Sequence, residues 1–270
     1  MIKGFQALKV DIGPGSHLEN WPELIVRESY TEIDKKIPVI ISGDLKRPEV
    51  AKFMNIRQPA IYIARGYLGN HLYKKRRWWR YSVNGFANTI LKNVPHSRWK
   101  MLELPKHPWK VKKVKNVLIA PSNMMEYIWD PVLGGKWSEH MTKQFPGAEV
   151  RIRYKASTPG ERWSTLWKDL DWADLVVAQG SAITTEAFWY GKKVISLHPC
   201  PTWAAEKTTL EDWSNPTEPK LRNAWHEHLA WCQFTNEEWA SRQAIDLIES
   251  YIGDIKSYDP GYTHNFVTSI

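Results

Sequence analysis

A Gly-Ser loop in the second half of the chain has the residue types and spacing of a phosphate site. Gln179-Gly180-Ser181 follows a short apolar run, Leu175–Ala178, and precedes a helical pattern over Ala182–Tyr190. Free backbone N–H groups and the positive end of the helix dipole at such a position bind anions such as phosphate. Glu186 comes five residues after Ser181, where its carboxylate could reach a ribose hydroxyl. The alternative is that Ser181 is only an N-cap and Glu186 only a solvated helix residue.

The surrounding elements predict how this loop is positioned. Leu175–Ala178 has the composition of a buried parallel strand, and Val194–Leu197 predicts the next strand. Gly191 stands where a left-handed cap should end the helix, and Lys192 and Lys193 suit its negative end. The loop has neither the G-x-G-x-x-G spacing of a dinucleotide fingerprint nor a Walker sequence. Its signal therefore depends on the order of the elements around it.

That order predicts an alternating β/α pattern in the second half, with polar loops at one sheet edge. Strands are predicted over Asn116–Ala120 and Ala148–Tyr154, with helices over Trp137–Gln144 and Trp163–Leu170. C-terminal helices are predicted over Leu221–Gln233 and, after the N-cap Thr235 with Glu238 three residues on, from 236 to 251. Polar residues at the carboxyl ends of parallel strands line the ligand crevice of such a domain. The residues predicted to bind a donor nucleotide there are Ser122, Arg151, Arg153, Lys155, Gln179, Gly180, Ser181, Glu186 and His198. The alternating cations at 151, 153 and 155 could hold a diphosphate or could protect an exposed strand edge.

The first half predicts a second site built in the same way. Strands are predicted over Phe5–Ile12, Ile37–Ser42 and Ala60–Ala64, each followed by a loop with glycine and polar residues. These loops contain Asp11, Asp44 and the segment Arg65-Gly66-Tyr67. Any one of these glycines could equally serve only to make a tight turn.

A basic and aromatic run follows, and the charge of the chain is unevenly placed. The run Lys74-Lys75-Arg76-Arg77-Trp78-Trp79-Arg80-Tyr81 mixes cations with aromatic rings, as nucleic-acid contacts do, and Asn84-Gly85 predicts a hairpin turn after it. Residues 1–115 carry 23 Lys and Arg against 9 Asp and Glu, whereas residues 116–270 carry 14 against 20. A charge run is usually a solvated face, but a wholly basic half favours contact with a polyanion.

Length and composition set the domain organisation. With 270 residues and 43% hydrophobic residues, the chain can form two modest α/β domains. The sequence predicts two Rossmann-like domains facing a central cleft: a basic domain over 1–112, a nucleotide-binding domain over 113–250, and a tail over 251–270 packing back on the first domain. Residues 98–115 are Pro- and Lys-rich and are interpreted as a linker. Two cysteines, no long apolar run and no leader pattern predict a cytoplasmic protein without a membrane segment. A monomer is expected.

Several motifs resemble a group of phage-encoded proteins regarded as glycosyltransferases of GT-B type. They are IAPS at 119–122, RIRYK at 151–155, QGSAITTEAFWYGKKVIS at 179–196, WHEHLAWCQFTNEEW at 225–239, YIARGYLGN at 62–70 and RYSVNGF at 80–86. The resemblance covers most of residues 60–240. It implies sugar transfer from a nucleoside-diphosphate sugar, expected to be a UDP-sugar, to modified bases of viral DNA, particularly 5-hydroxymethylcytosine. It also implies Ser181 on phosphate, Glu186 on ribose, and an infected host cell's cytoplasm as the location.

On this hypothesis the basic domain holds double-stranded DNA and the target base flips into the cleft. The expected acceptor contacts are Arg65, Tyr67, Lys74, Lys75, Arg76, Arg77, Trp78, Arg80 and Asn84. Asp11 and Asp44 are the candidate general bases for the acceptor hydroxyl, although either could cap a turn instead. No Asp-x-Asp metal motif occurs, so no metal ligand is predicted and Arg or Lys should neutralise the leaving group, with a helper Mg²⁺ left open. Two rival hypotheses are a glycosyltransferase with a glycan or small-molecule acceptor and a non-enzymatic DNA-binding protein.

Overall fold

The computed structural model describes most of the chain and divides it into two compact units. The described residues are 5–8, 24–42, 59–68, 78–84, 95, 97–121, 136–154, 159–179, 181–197 and 200–259. The first unit comprises residues 1–102 together with 228–265, and the second comprises residues 103–227 and 266–270.

The first unit is built on a six-stranded sheet. Its strands are β1 (Phe5–Leu8), β2 (Leu24–Arg27), β3 (Val39–Ser42), β4 (Ala60–Arg65), β5 (Trp78–Val83) and β10 (Gln233–Thr235), in the order β10-β5-β4-β3-β1-β2. Strands β2, β1, β3 and β4 are mutually parallel, and β5 is antiparallel to both of its neighbours. The parallel part therefore has the strand order 2-1-3-4 of a doubly wound fold.

Period-two alternation gives this sheet two apolar faces. One face contributes Ile40, Ile61 and Ile63 to a core that the C-terminal residues Trp239 and Ile245 complete. The opposite face contributes a smaller cluster formed by Val39, Ile41, Ala60, Tyr62 and Ala64. The first core thus depends on residues more than 170 positions apart in sequence.

The C-terminal elements belong to this unit because a buried ion pair and a capping box anchor them. After β10 come α5 (Asn236–Ala240) and α6 (Gln243–Ile252). The predicted N-cap is confirmed: the Thr235 side chain accepts from the Glu238 N–H, and the Glu238 side chain accepts from the Thr235 N–H. Arg98, 5% exposed, donates to both carboxylate oxygens of Glu238 at 2.7 and 2.8 Å.

The second unit is a four-stranded parallel sheet with helices between its strands. The strands are β6 (Asn116–Ala120), β7 (Glu149–Ile152), β8 (Leu175–Ala178) and β9 (Lys193–Ser196), in the order β7-β6-β8-β9. The helices are α1 (Trp137–Thr142), α2 (Pro159–Trp172), α3 (Ala182–Trp189) and, after a 3-10 helix over Pro201–Ala204, α4 (Arg222–Trp231). Helix α4 continues past Glu227 into the residues grouped with the first unit.

Both units therefore contain a parallel sheet of the same 2-1-3-4 order, and the predicted α/β class with two Rossmann-like sheets is confirmed. Every strand and helix predicted between residues 116 and 197 is present, within a few residues at each end. Gly191 adopts the predicted left-handed conformation with φ +89°.

The unit boundaries differ from the predicted domain limits at 112 and 250. The chain passes from the first unit to the second between Leu102 and Glu103. It returns to the first unit between Glu227 and His228, because the last helices pack on the first sheet. Residues 98–115 are not a free linker: Arg98–Leu102 forms a 3-10 helix, and Val111 and Val114 pack in the second core. The predicted helix from 236 to 251 is broken at Arg242, whose φ of +66° cannot continue it.

Candidate functional site

The topology of the second unit places its candidate site between β6 and β8. The chain runs from β6 to β7 on one side, then returns to β8 and β9 on the other side. Ligands of open α/β sheets bind outside the carboxyl ends of the strands, where this reversal of order occurs. The segment that follows β8, from Gln179 to the start of α3, lies at that point.

The start of α3 has the geometry of an anion site. Ser181 is the N-cap, with φ −79° and ψ 150°, and its Oγ accepts from the Ile183 N–H at 3.5 Å. Ser181 and Ala182 are half-buried, whereas residues 183–189 are all buried. Ser181 already accepts from the Ile183 and Thr184 N–H groups, so this end of α3 offers a negative ligand the Ser181 hydroxyl, the Ala182 N–H and the positive end of the helix dipole.

Gln179 supplies a polar group that the described residues leave unpaired. Its side chain is 3% exposed, and its Oε1 has no hydrogen-bond partner in the described part of the chain. A buried amide oxygen without a partner costs free energy of about 1–3 kcal/mol. This unpaired group stands two residues before the N-cap of α3, so it favours a bound ligand near the start of that helix.

Glu186 lies inside the unit and not on its surface. It is 2% exposed, so the alternative that it is a solvated helix residue is wrong. A buried carboxylate is unfavourable unless polar groups surround it, and its predicted ribose contact would be one such group. That contact remains a prediction.

The carboxyl end of α3 is held by its backbone cap at Gly191 and by Arg222, which the sequence did not single out. The backbone forms a Schellman motif, in which the Lys192 N–H donates to Ala187 and the Gly191 N–H donates to Phe188. The Arg222 guanidinium donates to the carbonyl oxygens of Phe188 and Trp189 at 3.1 Å. A cation at this position complements the negative end of the helix dipole. Its only sequence signal is an arginine in a later helix, which no local spacing connects to α3.

Lys192 and Lys193 lie at the predicted end of α3 but are structural. Both are 6% exposed. Lys192 Nζ donates to the carbonyl oxygen of Asp171 at 3.3 Å, and Lys193 Nζ donates to those of Asp212 and Asn215 at 2.7 and 2.5 Å. Burial lowers the pKa of both ammonium groups. They tie neighbouring loops to the amino ends of the strands, away from the candidate site.

The alternating cations Arg151 and Arg153, in and directly after β7, have partners within the second unit. Arg151 is exposed, forms an ion pair with Glu149 at 3.1 Å and lies 3.9 Å over the Trp172 ring. Arg153 forms an ion pair with Asp169 and donates to Thr165 Oγ1 at 3.1 Å. Strand β7 is the edge strand and β6 separates it from β8, so Arg151 fits the alternative of a charge-protected edge.

Two of the predicted acceptor contacts, Trp78 and Asn84, have internal roles in the first unit. Trp78 lies in β5, between two other strands, and is 1% exposed, so its ring belongs to the core. Asn84 uses its side-chain amide internally: Oδ1 accepts from the Ala60 N–H, and Nδ2 donates to the carbonyl oxygens of Ile255 and Tyr258. Asn84 holds the C-terminal segment and has no free amide donor for an acceptor.

Tyr67 and Arg80 are brought together at the end of β4. The Arg80 guanidinium lies 4.7 Å over the Tyr67 ring, and Arg80 is half-buried. The Tyr67 N–H donates to Gln233 Oε1 at 2.9 Å. Arg65 ends β4, where its backbone pairs with Trp79, and its side chain is not described. The acceptor roles of these three residues remain predictions.

Grouping the C-terminal elements with the first sheet also changes the distribution of charge. Residues 228–265 bring 2 basic and 6 acidic residues to the first unit, whose net charge becomes +6, while the second unit has +2. The strong contrast between the two halves of the sequence is therefore much smaller between the two units. This weakens the charge argument for a polyanion at the first unit.

The remaining predicted site residues lie outside the described residues. They are Asp11, Asp44, Lys74, Lys75, Arg76, Arg77, Ser122, Lys155, Gly180 and His198. Within the described ranges, no group of three or more His, Cys, Asp or Glu side chains is arranged to hold a metal ion. Among those same residues, no helix is both long enough and apolar enough to cross a bilayer.

Comparison with known proteins gives weak structural similarity. No protein-family model matches the chain, and no curated protein matches it. It is similar to the solved structure of Thermosulfurimonas dismutans KpsC, beta Kdo 2,7 transferase, with 13% identity and a TM-score of 0.49, covering 91% of this chain and 99% of that chain. It is also similar to the beta Kdo 2,4 transferase of KpsC from the same organism, with 12% identity and a TM-score of 0.41, covering 85% and 90%. Because both TM-scores are below 0.5, the function proposed below depends on the topology and residues described above.

Proposed function

We propose that this protein is a glycosyltransferase that uses a nucleotide-sugar donor. The observation that carries the proposal is the β8–α3 junction at the reversal of strand order, with the N-cap Ser181 and the buried, unpaired Gln179 amide. A helix start at this position suits the phosphates of a nucleotide. The sequence resemblance to GT-B glycosyltransferases is the reason for proposing that this nucleotide carries a sugar.

The donor would be held mainly by α3. Its phosphates would accept hydrogen bonds from the Ala182 N–H and the Ser181 hydroxyl, and Glu186 would contact the ribose. When the bond between the anomeric carbon and the phosphate oxygen breaks, the leaving phosphate gains negative charge, and the helix dipole stabilises that charge. UDP as the nucleotide, and Lys155, Ser122 and His198 as further donor contacts, remain predictions. No step here requires a metal ion.

The acceptor would be activated by a carboxylate of the first unit. Asp11 follows the end of β1 by three residues and Asp44 follows the end of β3 by two, and these strands flank the reversal of order in the first sheet. One of them would take the proton of the acceptor hydroxyl, whose oxygen then attacks the anomeric carbon. We therefore expect Asp11→Asn or Asp44→Asn to lower kcat more than KM.

The acceptor implied by the sequence resemblance is 5-hydroxymethylcytosine in double-stranded DNA, flipped out of the duplex. A second candidate is a glycan or a small molecule. It is favoured by the reduced charge contrast between the units and by the internal roles of Trp78 and Asn84. Neutralising Lys74, Lys75, Arg76 and Arg77 discriminates the two: for a DNA acceptor, the salt dependence of binding should become shallower.

The direct test is a product assay. Hydroxymethylated DNA and a panel of free glycans are incubated with UDP-, GDP-, dTDP- and CMP-activated sugars, and the masses of the digested nucleosides and of the glycans are measured. A mass increase equal to one sugar on either acceptor supports the proposal and identifies the acceptor. DNA binding without binding of any nucleotide would instead select the non-enzymatic DNA-binding protein.

A charge reversal at the N-cap tests the donor site more closely. Asp is as good an N-cap as Ser, so Ser181→Asp should leave the stability of the second unit nearly unchanged. Its carboxylate would repel the donor phosphate. We expect nucleotide affinity to fall at least about 30-fold, since two like charges at close range cost about 2 kcal/mol or more of binding free energy. Unchanged affinity by calorimetry would remove α3 from the donor site.

A further inference from the structure

Three buried polar atoms without hydrogen-bond partners are associated with α3 in the described part of the chain. They are Gln179 Oε1, Thr185 Oγ1 and Trp203 Nε1. Gln179 follows β8, Thr185 lies in α3, and Trp203 lies in the 3-10 helix that follows β9 and contacts α3. Native proteins leave few buried polar groups unpaired, so three around one helix require an explanation.

Thr185 differs from its neighbour Thr184 in this respect. Both side chains are fully buried. Thr184 Oγ1 donates to the carbonyl oxygen of Ser181 at 2.7 Å, whereas Thr185 Oγ1 has no partner among the described residues. The hydroxyl of Thr184 is explained by the structure of the helix start, and that of Thr185 is not.

We propose that Thr185 and Trp203, together with Gln179, bind the uncharged part of the donor through its hydroxyl and carbonyl groups. This inference rests on the proposed function. Gln179 Oε1 is an acceptor, Trp203 Nε1 is a donor, and the Thr185 hydroxyl can be either. None of the three is charged, so they suit the neutral groups of the nucleoside or of the sugar, while the helix start suits the phosphate. Thr185 and Trp203 then determine specificity for the donor.

Two variants with matched controls test this role. Thr185→Val is isosteric and removes a hydroxyl that has no internal partner, so its thermal midpoint should stay the same or rise. Trp203→Phe also makes the side chain smaller, so its thermal midpoint should fall, but less than that of the control Trp225→Phe. The affinity for the nucleotide sugar should fall about 5- to 20-fold, as expected when one hydrogen bond to a ligand is lost. The controls Thr184→Val and Trp225→Phe remove groups bonded to Ser181 and Pro201, so they should lower the thermal midpoint and leave affinity nearly unchanged.

Calorimetry with two probes separates the two sources of the neutral groups. If Thr185→Val weakens the binding of the nucleoside diphosphate and of the nucleotide sugar equally, the contact is with the nucleoside. If it weakens the binding of the nucleotide sugar only, the contact is with the sugar. Unchanged affinity of both variants for both probes would overturn this inference while leaving the proposed function intact. Absence of binding of any nucleotide by the unsubstituted protein would overturn both.

Discussion

The buried ion pair between Arg98 and Glu238 gives a prediction that can be tested independently of activity. The pair is bidentate, and Arg98 also donates to the carbonyl oxygens of Ala230 and Gln233 at 2.8 and 3.1 Å. Its guanidinium lies 4.5 Å over the Phe234 ring. The ion pair, both carbonyl hydrogen bonds and the Phe234 contact all lie in the segment 230–238, so this arginine anchors the C-terminal elements to the rest of the first unit.

Glu238→Gln keeps the shape of the side chain and removes its charge. The guanidinium of Arg98 would then be buried without a counter-ion, and breaking a buried pair in this way costs about 3–5 kcal/mol. We expect the free energy of unfolding of the first unit to fall by about 3 kcal/mol, at the lower end because Gln can still accept one hydrogen bond. The double variant Arg98→Met with Glu238→Gln should recover part of this loss, since no buried charge remains.

Urea denaturation monitored by circular dichroism measures the effect. The matched control is Glu149→Gln, which breaks the pair between Glu149 and Arg151, both about half exposed or more; an exposed pair contributes about 0–1 kcal/mol. If Glu238→Gln shifts the unfolding transition no more than Glu149→Gln, the buried pair does not anchor the C-terminal elements and the reasoning is refuted.

Two further predictions concern the second unit. Burial and the nearby Arg222 lower the pKa of His226 from 6.5 to about 4. The free energy of unfolding should therefore be unaffected by this histidine above about pH 6.5 and should fall, by up to about 3 kcal/mol, as the pH drops towards 4. Urea midpoints of His226→Gln should depend less on pH than those of the exposed control His140→Gln, and equal dependence of the two on pH would contradict this. Gly191→Ala should destabilise more than Gly147→Ala, because both have positive φ but only the Cβ at 191 would lie 2.1 Å from the Pro108 carbonyl oxygen; equal losses in thermal midpoint would show that the contact relaxes.

The parallel β/α part of the fold could be predicted from sequence because its signals are local. Short apolar runs such as Leu175–Ala178 predict buried strands, and Gly191 marks the end of α3 by its left-handed conformation. The capping box of Thr235 and Glu238 was also predicted, since its two residues stand at a fixed spacing.

Strands β2, β5 and β10 were not predicted. Strand β2 is a short edge strand with exposed Ile25 and Val26, so it has no clear alternation. Strand β5 contains Trp78, Arg80 and Tyr81, and its aromatic residues were interpreted as a nucleic-acid contact although such residues are also strong strand formers. Strand β10 has three residues and exists because it pairs with β5, about 150 residues earlier in the chain.

The candidate site was predicted only where one segment contains it. Gln179, Ser181 and Glu186 lie within eight residues, and their spacing on a strand–helix junction is visible in the sequence. Thr185 and Trp203 gave no signal, because a hydroxyl or an indole becomes informative only when burial shows that it has no partner. The linear charge distribution was misleading, since the acidic C-terminal elements return to the first unit.

The two ends of α3 together indicate where the ligand binds. At the carboxyl end, several backbone carbonyl groups have donors. The Schellman motif pairs two of them, Arg222 donates to the carbonyl oxygens of Phe188 and Trp189, and the Lys110 N–H donates to the carbonyl oxygen of Gly191 at 2.9 Å. At the amino end, Gln179 before the helix and Thr185 within it have buried atoms with no partner in the described part of the chain. A purely structural helix would have apolar residues at both of these positions, because they cost nothing to bury. The polar residues at one end only are explained if a polar ligand completes that end.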